Sequence, residues 1–208
     1  MTYLKFLSIV LFVSLRPPAL TQNIQIQVKQ DDFNHIPKSD QRMSIVLDCK
    51  NNGDSNLLLY AIGSHLVQNL VTEERVCDLT RVGAGLALMV FNENHERKYP
   101  IFRVHDSTLD VPQTEEQLEK LLDQGREQLL DGTRVVKVRG DISVHWNIDL
   151  SNFNLKEGRY YFKLIYFSGE GIWKNRIGET QIKQDMKIYN ADLYQGCAIS
   201  NIVHFVIE

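Results

Sequence analysis

The sequence predicts an all-β sandwich that carries one inserted helix, and three observations lead there. From Asp141 to Leu150, the residues Ile142, Val144, Trp146, Ile148 and Leu150 alternate with Ser143, His145, Asn147 and Asp149, the period of a strand with one buried face. Roughly eight or nine short apolar or alternating stretches recur between turn residues, which is the rhythm of a sandwich or barrel. One segment, about 114–131, has the spacing and the end signals of an amphipathic helix.

The elements follow in chain order. Ile24, Ile26 and Val28 alternate with polar residues, and Met43, Ile45, Leu47 and Cys49 do the same. Asn51-Asn52-Gly53-Asp54-Ser55-Asn56 is a strong turn signal before the apolar run Leu57 to Ile62. Gly63 to Gly85 reads as irregular, with a short helix near Ser64 to Leu70. Leu86 to Phe91 is apolar on both faces and predicts a central strand. Thr114 and Gln117 form a capping-box pair, and Glu115 and Glu116 suit the positive end of the helix dipole. Leu118, Leu121, Leu122, Leu129 and Leu130 supply an apolar stripe that should pack on the sandwich, and Asp131-Gly132 ends the helix. Strands are expected at Thr133 to Arg139, Asp141 to Leu150, Arg159 to Phe167, Met186 to Tyr189 and Ser200 to Ile207. Ser168 to Asp185 reads as a second long irregular stretch. The expected core includes Ile45, Leu47, Leu88, Val144, Trp146, Ile148, Tyr160, Phe162, Leu164, Val203 and Phe205.

The start of the chain reads as a leader. Lys5 precedes an apolar run from Phe6 to Leu15, too short to span a bilayer and of the length expected of a signal-peptide core. Arg16-Pro17-Pro18 breaks the run, and Ala19-Leu20-Thr21 places small residues for a cut before Gln22. Residues 1–21 are thus expected to be a signal peptide and 22–208 a single domain, secreted or held in the periplasm or cell envelope without membrane insertion. Losing Lys5 and Arg16 takes the formal charge from −3 to −5. A mildly acidic chain with scattered lysines and arginines argues against a nucleic-acid partner. An oxidising compartment permits one disulfide among Cys49, Cys77 and Cys197. Cys49 with Cys77 closes the shorter loop, and three buried thiols is the competing reading.

At Asp149-Leu150-Ser151 and Leu155-x-x-Gly158-x-Tyr160 the chain resembles immunoglobulin-like sandwich modules of exported bacterial proteins. Gly196, Ser200-Asn201 and the alternating Val203, Phe205 and Ile207 are similar to the closing strand of such modules. The resemblance covers the last third of the chain and implies an immunoglobulin-like β-sandwich. It gives Tyr160, just after Gly158, the structural role of a tyrosine corner. Phe162 stands where antibody domains have a cysteine, so their inter-sheet disulfide is ruled out at that position. The resemblance implies no active site.

Catalytic and metal motifs are missing from the sequence. It has no His-Glu-x-x-His helix, Cys-x-x-Cys pair, G-x-S-x-G elbow or P-loop, and no cofactor or metal is expected. His145 and His204 both fall on expected strands, but two ligands do not make a zinc site. Asp48 and the 51–56 turn supply oxygens without calcium-loop spacing. Ser168 and Cys197 each neighbour a glycine, and neither has an identifiable base. Trp173 in a glycine-flanked loop, with Lys174 and Arg176 beside it, is the best binding candidate, because Trp and Arg concentrate interface energy. The expected function is therefore that of an exported, non-enzymatic binding module for a protein or glycan. An exported hydrolase using dispersed acidic residues and an extracellular protease inhibitor are the alternatives.

Overall fold

The computed structural model describes residues 24–29, 34–63, 66–67, 85–101 and 114–208. Its strands begin with β1 (Ile24–Lys29), β2 (Asn34–Ile36), β3 (Arg42–Asn51), β4 (Leu57–Leu59), β5 (Leu66–Val67), β6 (Gly85–Asn92) and β7 (Arg97–Lys98). Helix α1 (Glu115–Asp131) follows, then β8 (Arg134–Val136), β9 (Asp141–Asp149) and β10 (Gly158–Ser168). Two further helices, α2 (Glu170–Arg176) and α3 (Glu179–Tyr189), precede β11 (Asp192–Leu193), β12 (Gly196–Ile199) and β13 (Val203–Ile207). The leader at 1–21, Cys77 and most of the stretch from Gly63 to Gly85 lie outside the described residues.

Two sheets form the body. One is antiparallel in the order β1-β3-β9; the other runs β2-β13-β10-β6-β5, with β12 added on β10 and β7 on β6. Their facing sides enclose the main core, with Ile26, Ile45, Leu47 and Ile148 meeting Leu88, Phe162, Leu164 and Phe205. Period-2 patterning produces this directly, because every second residue of β1 and β3 turns inward. All the expected core residues are buried except Trp146. Its indole is half-buried against the core and donates from Nε1 to the Ile62 carbonyl at 3.1 Å. Strand β6 is buried on both faces, as its sequence requires: Ala87, Met89 and Phe91 join Ile165 and Phe167 in a separate cluster behind the sheet.

Strands β9 and β10 belong to different sheets, so the polar stretch between them turns a corner. Ser151–Phe153 makes one 3-10 turn there. Gly158 has φ +148°, a conformation that L side chains rarely adopt. Tyr160, buried two residues later, donates its hydroxyl to the Lys156 carbonyl at 3.0 Å and closes the corner. At the other edge, Ser200 and Asn201 join β12 to β13. The Ser200 Oγ accepts the Leu164 amide at 2.9 Å. The Asn201 amide accepts the Val28 N–H at 2.7 Å and donates to the Val28 carbonyl at 3.2 Å.

The remaining elements form a cap at one end. A small third sheet, β11-β4-β8, draws its strands from segments that leave β3, lead into β9 and link β10 to β12. These segments share an end because Asn51 bonds to Gly140, while Phe167 lies opposite Gly85 and Ser168 opposite Gly196. A second apolar cluster, including Leu58, Tyr60, Leu129, Trp173, Ile177 and Ile182, holds the cap together.

The cap is where the expectations need correcting. Among the described residues three α-helices are present where a single inserted amphipathic helix is expected, and the protein is mostly but not wholly β. Ser168 to Asp185 is not irregular. Trp173 and Ile177, then Ile182, recur on one side of α2 and α3, a pattern that the flanking glycines obscure. Met186 to Tyr189 is the last turn of α3 and not a strand; its short alternation is coincidental, since Ile188 and Tyr189 are both exposed. Leu66–Val67 pairs parallel with β6, so no helix occupies that position. Helix α1 begins where its cap signal places it, with the Thr114 Oγ1 accepting the Gln117 amide at 3.2 Å. Only its C-terminal end packs on the rest: Leu129 is 8% exposed, but Leu118, Leu121 and Leu122 are 46%, 51% and 64% exposed.

The pairing of Cys49 with Cys77 is also corrected. Cys49 is a free thiol on the core face of β3. Burial, with the Asp48 carboxylate beside it, pushes that thiol up to about 12. Cys197, at the start of β12, is disulfide-bonded.

Candidate functional site

The cap is assembled on Tyr60. This residue follows β4 and is fully buried, and burial together with the Asp185 carboxylate holds its hydroxyl well above the ordinary tyrosine range. It therefore stays a donor, to the Asp185 Oδ2 at 2.8 Å, while the Gln181 Nε2 supplies the Asp185 Oδ1 at 2.8 Å. Asp185 thus meets its acceptor needs inside the protein, which is what a buried carboxylate requires. The Tyr60 carbonyl in turn accepts the Tyr166 hydroxyl at 3.0 Å, fastening the cap to the body.

Trp173 does not lie at the surface. Helix α2 turns its indole inward to complete burial, at 5.3 Å from the Tyr60 ring, and its Nε1 donates to the Ser168 Oγ at 2.8 Å. The binding role expected for Trp173 is replaced by a packing role, because its helix places it on the inward side. Lys174 is half-exposed and braces α2 against α3, bonding Glu170 at 2.9 Å and reaching Glu179 at 3.9 Å. The hydrogen bond that Lys174 donates to Glu170 raises its ammonium above the ordinary value. Of the expected trio only Arg176 is turned outward, with no ion-pair partner among the described residues.

Arg176 and Asn175 face α1 across a groove of about 420 Å³. Leu121, Leu122, Gly125 and Leu129 form its apolar wall, with Asp123 and Arg126 at the rim. Arg126 is bound to Asp123 at 2.7 Å, which leaves Arg176 as the groove cation without an ion-pair partner among the described residues. A second groove of about 500 Å³ opens between Asp54, Ser55 and Asn56 and the α3 residues Met186 and Lys187.

The other residues singled out from sequence have structural employment. The Ser168 hydroxyl donates to the Tyr194 carbonyl at 2.5 Å while accepting from Trp173, which leaves it no base. His145 and His204 are exposed on strands of different sheets, so they do not converge. The Asn51 amide serves its own turn: Nδ2 donates to the Ser55 carbonyl at 2.7 Å and Oδ1 accepts the Gly53 amide at 2.8 Å. Asn56 clasps the Asn190 carbonyl at 2.9 Å. Among the described residues no three His, Cys, Asp or Glu side chains gather as metal ligands would.

Sequence reasoning missed the groove because its two walls lie about fifty residues apart. The one available signal was the leucine stripe of α1, whose length exceeds what a single docking contact needs. No protein-family model, curated protein or solved structure matches this chain.

Proposed function

We propose that this chain is a non-enzymatic interaction module delivered outside the cytoplasm, with an immunoglobulin-like body and its contact surface on the cap. The observation that carries this reading is the exposed leucine face of α1 beside the uncommitted Arg176. Large aliphatic side chains exposed together on one helix face are costly in water and mark surfaces that partners cover. The aliphatic wall offers a sugar no hydrogen bonds, which favours a protein partner over a glycan.

The strand order supports the immunoglobulin-like part. The sheet β1-β3-β9 opposite β13-β10-β6 follows the A-B-E and G-F-C arrangement, and the Tyr160 bond resembles a tyrosine corner. On that assignment the cap grows from the B–C and F–G connections and from the segment leading into E, which carries α1 and β8, at the end variable domains use for recognition. Export is supported by the apolar run Phe6 to Leu15 and by the bonded Cys197, which suits an oxidising compartment.

Two measurements test the reading. N-terminal sequencing of the cell-free or envelope product should begin at Gln22; an intact Met1 terminus in the cytosol refutes export. A photo-crosslinking residue at position 122 or 176 should join one reproducible protein, competed by the purified chain but not by its Leu122→Ser variant. The same residue at His145, on the body, should not. Crosslinks only from position 145 would place contact on the body and refute the cap.

A further inference from the structure

We infer that α1 is a docking helix for a protein whose apolar groove is rimmed by basic residues. The inference rests on the interaction-module reading and names the partner class for its surface. Leu118, Leu121, Leu122 and Leu129 share one face of α1, about a third of its circumference. At Leu129 that face is already docked on the Trp173 cluster, and from Leu122 outward the described residues leave it exposed. A partner seated there continues the packing of the cap across the groove to Arg176.

Charge selects the occupant. Helix α1 holds six acidic residues against Lys120 and Arg126, a net of −4. At helical spacing Glu115, Glu119 and Asp123 line one margin of the leucine face together with Arg126, which pairs with Asp123, so Glu115 and Glu119 carry that margin's net negative charge; glutamines line the other. A helix for the surface of an anionic membrane carries lysine and arginine in those positions, so a bilayer is the wrong partner. A second copy would set one helix of net −4 against another, and like charges oppose association. A groove with lysines or arginines along one rim meets both features, in the helix-in-groove mode.

The test uses the full chain and three probes: an amphipathic helical peptide of leucine and lysine, its leucine–glutamate counterpart with the same apolar face, and phosphatidylglycerol vesicles. Fluorescence anisotropy should show the lysine peptide bound at least about tenfold more tightly than the glutamate peptide. The double variant Leu118→Ser/Leu122→Ser should weaken it by about tenfold or more. Glu115→Gln/Glu119→Gln, which leaves the leucines in place, should weaken it about threefold and flatten its salt dependence. Equal affinity for the two peptides, preference for the vesicles, or self-association that Leu122→Ser abolishes would each overturn the inference. So would a clear fall in melting temperature for the leucine variant, since the chain itself would then be covering the face. Reproducible crosslinks from position 122 without lysine-peptide preference would remove this partner class and leave the module reading standing.

Discussion

In the body, β3 and β10 run for 10 and 11 residues, and the main core is a continuous apolar layer between two sheets. In the cap no strand exceeds three residues, and the pieces come from three separate stretches of chain. The body rests on repeated burial, where no single side chain is indispensable to the pattern. The cap rests on a few specific bonds around Tyr60, Asp185, Trp173 and Ser168. The difference separates two ways of holding a fold: many interchangeable contacts repeated in register along paired strands, or a few specific polar contacts between short pieces.

Four perturbations sharpen or break this contrast. The largest effect belongs to Phe162→Ala, which empties a fully buried ring site between the sheets. It should cost about 3–5 kcal/mol in denaturant unfolding and move the entire transition. Next is Tyr60→Phe, which leaves the Asp185 Oδ2 without its donor. A loss of about 1–3 kcal/mol is expected. It should be local, with hydrogen exchange quickening in α2, α3 and β11 while β3 and β9 keep their protection. Equal quickening in both regions would mean that body and cap unfold as one. Tyr160→Phe removes only the corner bond to Lys156 and should cost about 1 kcal/mol, seen as a shifted midpoint at constant slope.

The smallest effect concerns pH. Burial works against ionisation of Asp48, but the Lys29 ammonium at 2.5 Å and the Ser143 hydroxyl at 2.6 Å outweigh it and hold the carboxyl below its ordinary value. A carboxyl lowered on folding stabilises the protein above its unfolded value of roughly 3.9 and loses that contribution as pH falls through the folded value. Asp48→Asn should therefore flatten the acid limb of a stability–pH curve, with a small loss of stability at neutral pH and none at low pH, where the carboxyl is already protonated.

The contrast also explains what could be read from residues alone. Alternation in β3 and β9, and the doubly apolar β6, follow from neighbours within a few positions, so the body was legible down to individual core residues. Thr114 and Gln117 marked the start of α1 for the same reason: the bond that caps the helix spans three residues. The cap was not legible. Whether Trp173 faces water or protein depends on Tyr60, more than a hundred positions earlier, and nothing local to Gly169 or Gly171 records that meeting. The cysteine assignment failed likewise, since a shorter loop is no guide when Cys49 points into a core. Arg176 was visible as a candidate, but the groove that gives it a setting was not.

One carboxamide has a consequence for solubility. Asn201 engages both the N–H and the carbonyl of Val28 on the outer side of β1, so a side chain stands where a neighbouring peptide group would otherwise lie. An open strand margin invites another molecule to add its own backbone, copy after copy, into a fibre. Here that invitation is answered from within the same molecule, and the margin at Val28 is closed to runaway polymer growth.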